Sequence, residues 1–242
     1  RSSYDTAVYI PEYYFRIVDD ATNKKRYFYI ADKAKSGFTK HPGSGKYVGR
    51  YNTISGYYSK TGSKPLANIT RATARTNSKN KGSKWGQYDF ASWCAVWLLY
   101  LVEFADWNSQ SVIGIGICGS SSMANTGGTD SMNYHTGTAA SSRTTAGAVQ
   151  YRNIENPWGN IWEWIDGVNF SDGTVYVCTT PANYADDTTS GYTNAGTKTQ
   201  SDGWIKAIGI SSTAPWAFFP TEVGGSETTY IPDYAYYNSG WR

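Results

Sequence analysis

The sequence predicts a mixed α+β fold: short antiparallel strands joined by long polar loops, with two helices packed on the sheets. Three observations carry this prediction. The apolar surface is aromatic rather than aliphatic, with 21 Tyr, 10 Trp and 8 Phe against 4 Leu and 2 Met, whereas a helical bundle needs long unbranched side chains at heptad spacing. The 25 Gly, together with many Ser, Thr and Asn, supply turns between short strands. A single stretch, Asp89 to Ala105, is apolar on nearly every face and reads as a buried helix. Collagen-like and coiled-coil architectures are excluded, and no apolar run reaches the ~18 residues of a membrane span, so no membrane insertion is expected.

The elements follow in order. Ala7 to Val18 and Lys25 to Ala31 are rich in aromatic and β-branched residues and read as a hairpin, with Pro11 marking an edge or bulge. Tyr47 to Tyr51 is a further short strand. Thr70 to Asn77 reads as a short polar helix with Thr70 as its N-cap, and Asp89 caps the apolar helix. Val112 to Ile117 is expected to be a buried strand. Residues 119–147 and 179–202 are long polar loops, and by length such loops are functional or mobile. Ile161 to Phe170 and Thr174 to Cys178 flank Ser171-Asp172-Gly173 as a second hairpin, and Gly203 to Ile210 is another strand. Tyr9-Ile10-Pro11-Glu12-Tyr13 is echoed by Tyr230-Ile231-Pro232-Asp233-Tyr234, either as two neighbouring strands or as coincidence in a Tyr-rich chain.

Cysteine and charge narrow the chemistry. Cys94, Cys118 and Cys178 are odd in number and lack C-x-x-C spacing, which argues against zinc; a Cys118–Cys178 disulfide and three free thiols both stay open. His41 and His135 have no second histidine or cysteine nearby. Residues 1–85 hold 17 of the 22 Lys and Arg and five acids, for a balance of +12, and residues 86–242 carry −9. That division either steers partners or subunits electrostatically or merely solubilises an aromatic-rich fold. Nucleic acid ranks last as a partner, because the basic residues are dispersed through loops and no recognition module is present.

The most informative motif is Asn156-Pro157-Trp158-Gly159-Asn160-Ile161-Trp162-Glu163-Trp164. Read as a core strand, it turns Trp162 and Trp164 to one face and Ile161, Glu163 and Ile165 to the other. A desolvated Glu163 then needs a cation, backbone amides or a basic side chain such as Arg152. The motif resembles the G-N-x-W-E-W signature of the formylglycine-generating enzyme (sulfatase-modifying factor) family, a variant of the C-type lectin fold. The segments T-R-A-T-A-R and W-C-A-x-W-L-L-Y-L-V-E-F are similar to those of phage tail and prophage structural proteins of this fold. So is Tyr-Ile-Pro-Asp-Tyr-Ala-Tyr-Tyr-Asn-Ser-Gly-Trp-Arg near the end, and some relatives of that kind are variable proteins of diversity-generating retroelements. The resemblance covers most of the chain and implies one C-type-lectin-like domain over residues 1–242. Such relatives continue past the G-W-R into a variable segment, so the resemblance implies either a fragment that lacks this terminal segment or a protein that closes its fold differently.

The resemblance implies a calcium site as well, with the side chains of Asn156 and Glu163 and the carbonyls of Gly159 and Ile161 as ligands; oxygen-only ligation suits a hard cation. It argues against catalysis. The enzymes use a cysteine pair after a Gly-Gly-Ser, whereas here no cysteine follows Gly224-Gly225-Ser226. The aromatic C-terminal stretch offers a binding surface instead, with Trp216, Phe218, Tyr230, Asp233, Tyr234, Tyr236 and Tyr237 as its residues. Tyr and Trp give rigid contact area at low entropic cost and stack on sugar faces, while strand alternation sends about half of them to the core. The expectation is a non-enzymatic virion or tail-associated, extracellular protein that binds a host-surface glycan or protein, contacts other virion proteins and assembles with copies of itself. The rivals are a purely structural decoration or baseplate protein and a divergent enzyme.

Overall fold

A computed structural model describes residues 4–118, 122–226 and 234–237. In chain order the strands are β1 (Ala7–Ile10), β2 (Tyr14–Asp20), β3 (Lys25–Ala31), β4 (Thr39–Lys40), β5 (Lys46–Gly49), β6 (Gly137–Thr138), β7 (Val149–Tyr151), β8 (Ile154–Glu155), β9 (Val168–Ser171), β10 (Thr174–Val177), β11 (Thr193–Thr197), β12 (Gly203–Ile210), β13 (Phe218–Val223) and β14 (Tyr234–Ala235). The helices are α1 (Arg71–Lys79), α2 (Phe90–Phe104) and α3 (Ser109–Val112). The strands form small antiparallel sheets, ordered β1-β5, β3-β2-β4, β6-β7-β8, β11-β10-β9 and β13-β12-β14. The fold is thus mixed α+β, as expected.

Local chemistry accounts for most of these elements. Pro11 has no N–H for a ladder, and it separates β1, which pairs with β5, from the β2–β3 hairpin. That hairpin closes where the Asp20 carboxylate accepts from the Asn23 backbone at 3.0 Å and from its side chain at 2.8 Å. The β9–β10 hairpin turns on Asp172 (φ 44°) and Gly173 (φ 76°), the paired left-handed residues of a type I′ turn. Helix α1 is capped by Thr70, which accepts from Thr73, and α2 by Asp89, which accepts from Ser92 at 2.7 Å. Both N-caps are the predicted ones.

Helix α2 is the axis of the core. Cys94, Ala95, Leu98, Tyr100 and Leu101 are buried on it, and its aromatics run on through neighbouring elements: Trp97 meets Trp93 at 5.7 Å, Tyr100 at 5.3 Å and Trp158 at 6.0 Å. One hydrophobic cluster joins these residues to Ile10 and Phe15 at one end of the chain and to Phe218 and Phe219 near the other. Gly43 lies so close to α2 that a Cβ there would fall 1.9 Å from the Ala91 carbonyl oxygen, so only glycine fits. Among the described residues no helix is long and apolar enough to cross a membrane.

Several expectations are corrected. Val112 to Ile117 is not a strand; the chain completes α3 and continues irregularly. Gly116 (φ 75°) lies where a Cβ would meet the Trp158 ring at 3.0 Å, so its glycine serves a close approach and not a sheet. Ile161 to Gly167 is not a strand either, and Trp162 and Trp164 are 84% and 52% exposed. The two long loops contain short regular pieces, β6 in one and β11 in the other. The three cysteines are free thiols, without a Cys118–Cys178 bond. The second half of the Tyr-Ile-Pro echo lies outside the described residues, apart from Tyr234.

Candidate functional site

The Trp-Glu-Trp segment is an exposed loop held by a polar frame. Two consecutive left-handed residues, Gly159 (φ 76°) and Asn160 (φ 70°), turn the chain after Trp158. Trp158 stays inside, where its indole N–H donates to the Gly114 carbonyl at 3.2 Å. Beyond the turn, the Asn160 side chain donates to Asn52 at 3.2 Å and accepts from the Ala124 backbone at 2.8 Å. Asn52, itself buried, donates its amide to the Glu163 carboxylate. The Trp164 indole N–H donates to the Ile69 carbonyl at 2.7 Å. Trp162, between these anchors, is the most exposed of the large hydrophobic residues among those described.

The far end of the loop is fixed by charge. Asp166 is 1% exposed and accepts from Arg75 Nε at 2.9 Å and from Arg75 Nη2 at 2.6 Å. Arg71, one turn earlier on the same face of α1, donates to the Val168 carbonyl at 2.7 Å, to Asn169 Oδ1 at 2.7 Å and to Asp186 at 2.8 Å. Burial works to raise the Asp186 carboxyl, and the hydrogen bonds from Arg75 and Arg71 outweigh it, so the group stays ionised. The T-R-A-T-A-R segment is therefore a clamp: two arginines at i and i+4 hold the strand that follows the Trp-Glu-Trp loop.

The residues carried over for calcium have other partners. Asn156 is 3% exposed; its Oδ1 accepts from the Val149 backbone at 3.2 Å, and its Nδ2 is buried without a hydrogen bond. The Gly159 carbonyl accepts from the Ile161 N–H at 2.9 Å. Ile161 is half-buried, and Glu163 is exposed and bound by Asn52. In this set Asn156 Oδ1 and the Gly159 carbonyl each accept one hydrogen bond, from Val149 and Ile161. Among the described residues no three His, Cys, Asp or Glu side chains gather as a metal cluster. Arg152 pairs with Glu103 at 2.8 Å and not with Glu163.

The C-terminal strip divides. Phe218 is 1% exposed and packs in the core, which removes it from any contact face. Trp216 is half-buried, its ring edge-on to Phe90 at 6.0 Å and to His41 at 6.4 Å. Tyr234 and Tyr236 project outward on either side of buried Ala235, as strand alternation requires. Tyr237 donates its hydroxyl to Asp172 at 2.8 Å. Lys198, 7% exposed, donates to the Tyr236 carbonyl at 3.2 Å and lies over the Tyr237 ring, and burial lowers its pKa. Tyr230 and Asp233 lie outside the described residues.

The sequence-derived strip misses other outward aromatics. Tyr9 and Tyr47, cross-strand partners on β1 and β5, stand 4.9 Å apart, and Tyr27 and Tyr29 project from one face of β3. Tyr134 is 78% exposed. Period-two spacing marks Tyr27 and Tyr29, but nothing in the sequence says that their face is the solvated one. The buried thiols are chemically quiet: burial pushes the Cys94 thiol well above its usual range, and Cys178 is buried with its sulfur accepting from the Thr180 backbone at 3.4 Å. No protein-family model matches this chain, and no curated protein matches it.

Proposed function

We propose that this chain is a non-enzymatic recognition protein of C-type-lectin-like fold, part of a phage or prophage virion, that binds a ligand on the host-cell surface. The observation that carries the reading is Trp162: an indole 84% exposed on a loop whose flanking residues are tied by Asn52, Ile69 and Arg75. An aromatic held out on a rigid backbone loses little entropy on binding and is the typical anchor of a contact face. Tyr234 and Tyr236 add a second outward aromatic group. Repetition of the domain on a symmetric particle turns weak single contacts into avidity.

The test is binding of labelled protein to intact bacterial cells and to their extracted surface glycans, wild type against Trp162→Ala. The expected result is a loss of about tenfold or more in binding with an unchanged melting temperature, as for an exposed hot-spot aromatic. Full binding by the variant overturns the reading. The division of charge between +12 in residues 1–85 and −9 beyond favours a second reading, a structural virion component that docks on its own copies. Self-association that dissolves with salt, in a protein with no affinity for cells, supports that alternative.

A further inference from the structure

Two cavities, of about 440 and 270 Å³, meet at His135. The larger opens between the last turn of α2, α3 and the segment 134–138, and its size falls within the roughly 300–1,000 Å³ of small-molecule sites. The backbone of that segment is firmly held. Gln150 donates to the Tyr134 carbonyl, Asn153 N–H to the His135 carbonyl at 2.8 Å, and Arg152 N–H to the Thr136 hydroxyl at 3.1 Å, while Gly137 pairs with Gln150 on β7.

Several polar side-chain groups that line the cavity are, by contrast, unused. Among the described residues neither the Tyr134 hydroxyl nor the His135 ring has a hydrogen-bond partner, although both residues line the cavity. Glu103 takes its three bonds, from the Tyr151 hydroxyl and from Arg152 Nε and Nη2, on Oε2, and its Oε1 takes none. Arg143 is anchored by one bond, Nη1 to the Ser111 carbonyl at 3.1 Å, and no described carboxylate pairs with it. The cavity therefore offers an aromatic plate from the held 134–138 segment, a hydrogen-bond acceptor from α2 and an unmatched guanidinium from Arg143.

We infer that this cavity is a binding site for a single acidic sugar residue, one that carries a carboxylate. The apolar face of the ring stacks on Tyr134, a hydroxyl donates to Glu103 Oε1, and the carboxylate meets Arg143 in a charge-assisted, bidentate pair. The site shares no residue with the Trp162 loop and stands whether or not that loop binds cells. A neutral sugar leaves Arg143 unmatched, and a bare anion gains nothing from Tyr134 or Glu103.

The experiment titrates the full chain with methyl β-glucuronide, methyl β-glucoside and acetate, followed by NMR shifts or calorimetry. The glucuronide is expected to bind at least about tenfold more tightly than the glucoside, the worth of one charge-assisted pair, with acetate weaker than either sugar. Arg143→Ala should erase the difference between the two sugars, Arg143→Lys should restore part of it, and Tyr134→Ala should weaken both. Tyr134→Ala also serves as the independent variant should loss of the Ser111 contact unfold the loop, since its ring is largely exposed. Equal affinity for the two sugars, acetate binding as tightly as the glucuronide, an Arg143→Ala variant that keeps the preference, or binding of neither sugar overturns the inference.

Discussion

Trp158 and Trp162 sit four residues apart in one motif and have opposite environments. Trp158 is 8% exposed and touches Trp97 in the core, whereas Trp162 is 84% exposed. Hydrophobicity does not distinguish them, since both are indoles. The backbone does, through the left-handed pair Gly159 and Asn160 and the polar frame built on Asn52. Burial of an aromatic here follows from where the chain's own hydrogen bonds direct it. A composition that looks like surplus core can therefore be contact surface.

The buried side of this comparison breaks hardest in acid. His41 is fully buried, ringed by Tyr13, Phe15 and Trp216, with Nδ1 accepting from the Gly43 N–H at 3.1 Å and Nε2 unpartnered. Burial first, and then the charge of Lys46, lower its pKa from 6.5 to about 3, with Asp89 opposing. Above pH 6.5 the ring is neutral in both the folded and the unfolded chain, so nothing is lost. As pH falls from 6.5 toward 3, the unfolded chain takes up a proton that the native core refuses, and stability drops by something on the order of 4 kcal/mol. Chemical denaturation across that range should show the slope, and His41→Gln, which keeps an acceptor for Gly43, should flatten it.

Next in size is Trp158→Ala, expected to cost about 3–5 kcal/mol as a core cavity beside Trp97, read as a lower denaturation midpoint. Asn160→Ala removes three side-chain hydrogen bonds, one to Asn52 and two to Ala124, and places alanine at positive φ. Its expected cost is about 1–3 kcal/mol, together with increased mobility of the Trp162 indole in its NMR relaxation. Smallest is Trp162→Ala, within about 0.5 kcal/mol of wild type. A large destabilisation there would mean that the loop packs after all.

Much of the frame is legible in the sequence because it is set by local chemistry. Thr70 and Asp89 announce their helices as caps, and Asp172-Gly173 announces its turn. The site is less legible. Alternation in Ile161 to Ile165 mimics a strand, yet the preceding Gly159-Asn160 turn and the reach of Asn52, more than a hundred residues earlier, make it a loop. Phe218 and Tyr234 look alike as members of an aromatic strip, and only the packing of β13 under α2 tells core from surface. Arg71 and Arg75 give a sequence reader a polar helix and no hint that both are buried.

Those two arginines carry a consequence for biosynthesis. Helix α1 has nine residues, and its buried ones are the two guanidinium side chains, so it has neither the length nor the apolar stripe to persist alone. Its partner Asp166 lies 91 positions downstream. As the polypeptide leaves the ribosome, this stretch has to wait for most of the chain before it can coil, and in the finished protein it should be among the earliest to exchange its amide hydrogens.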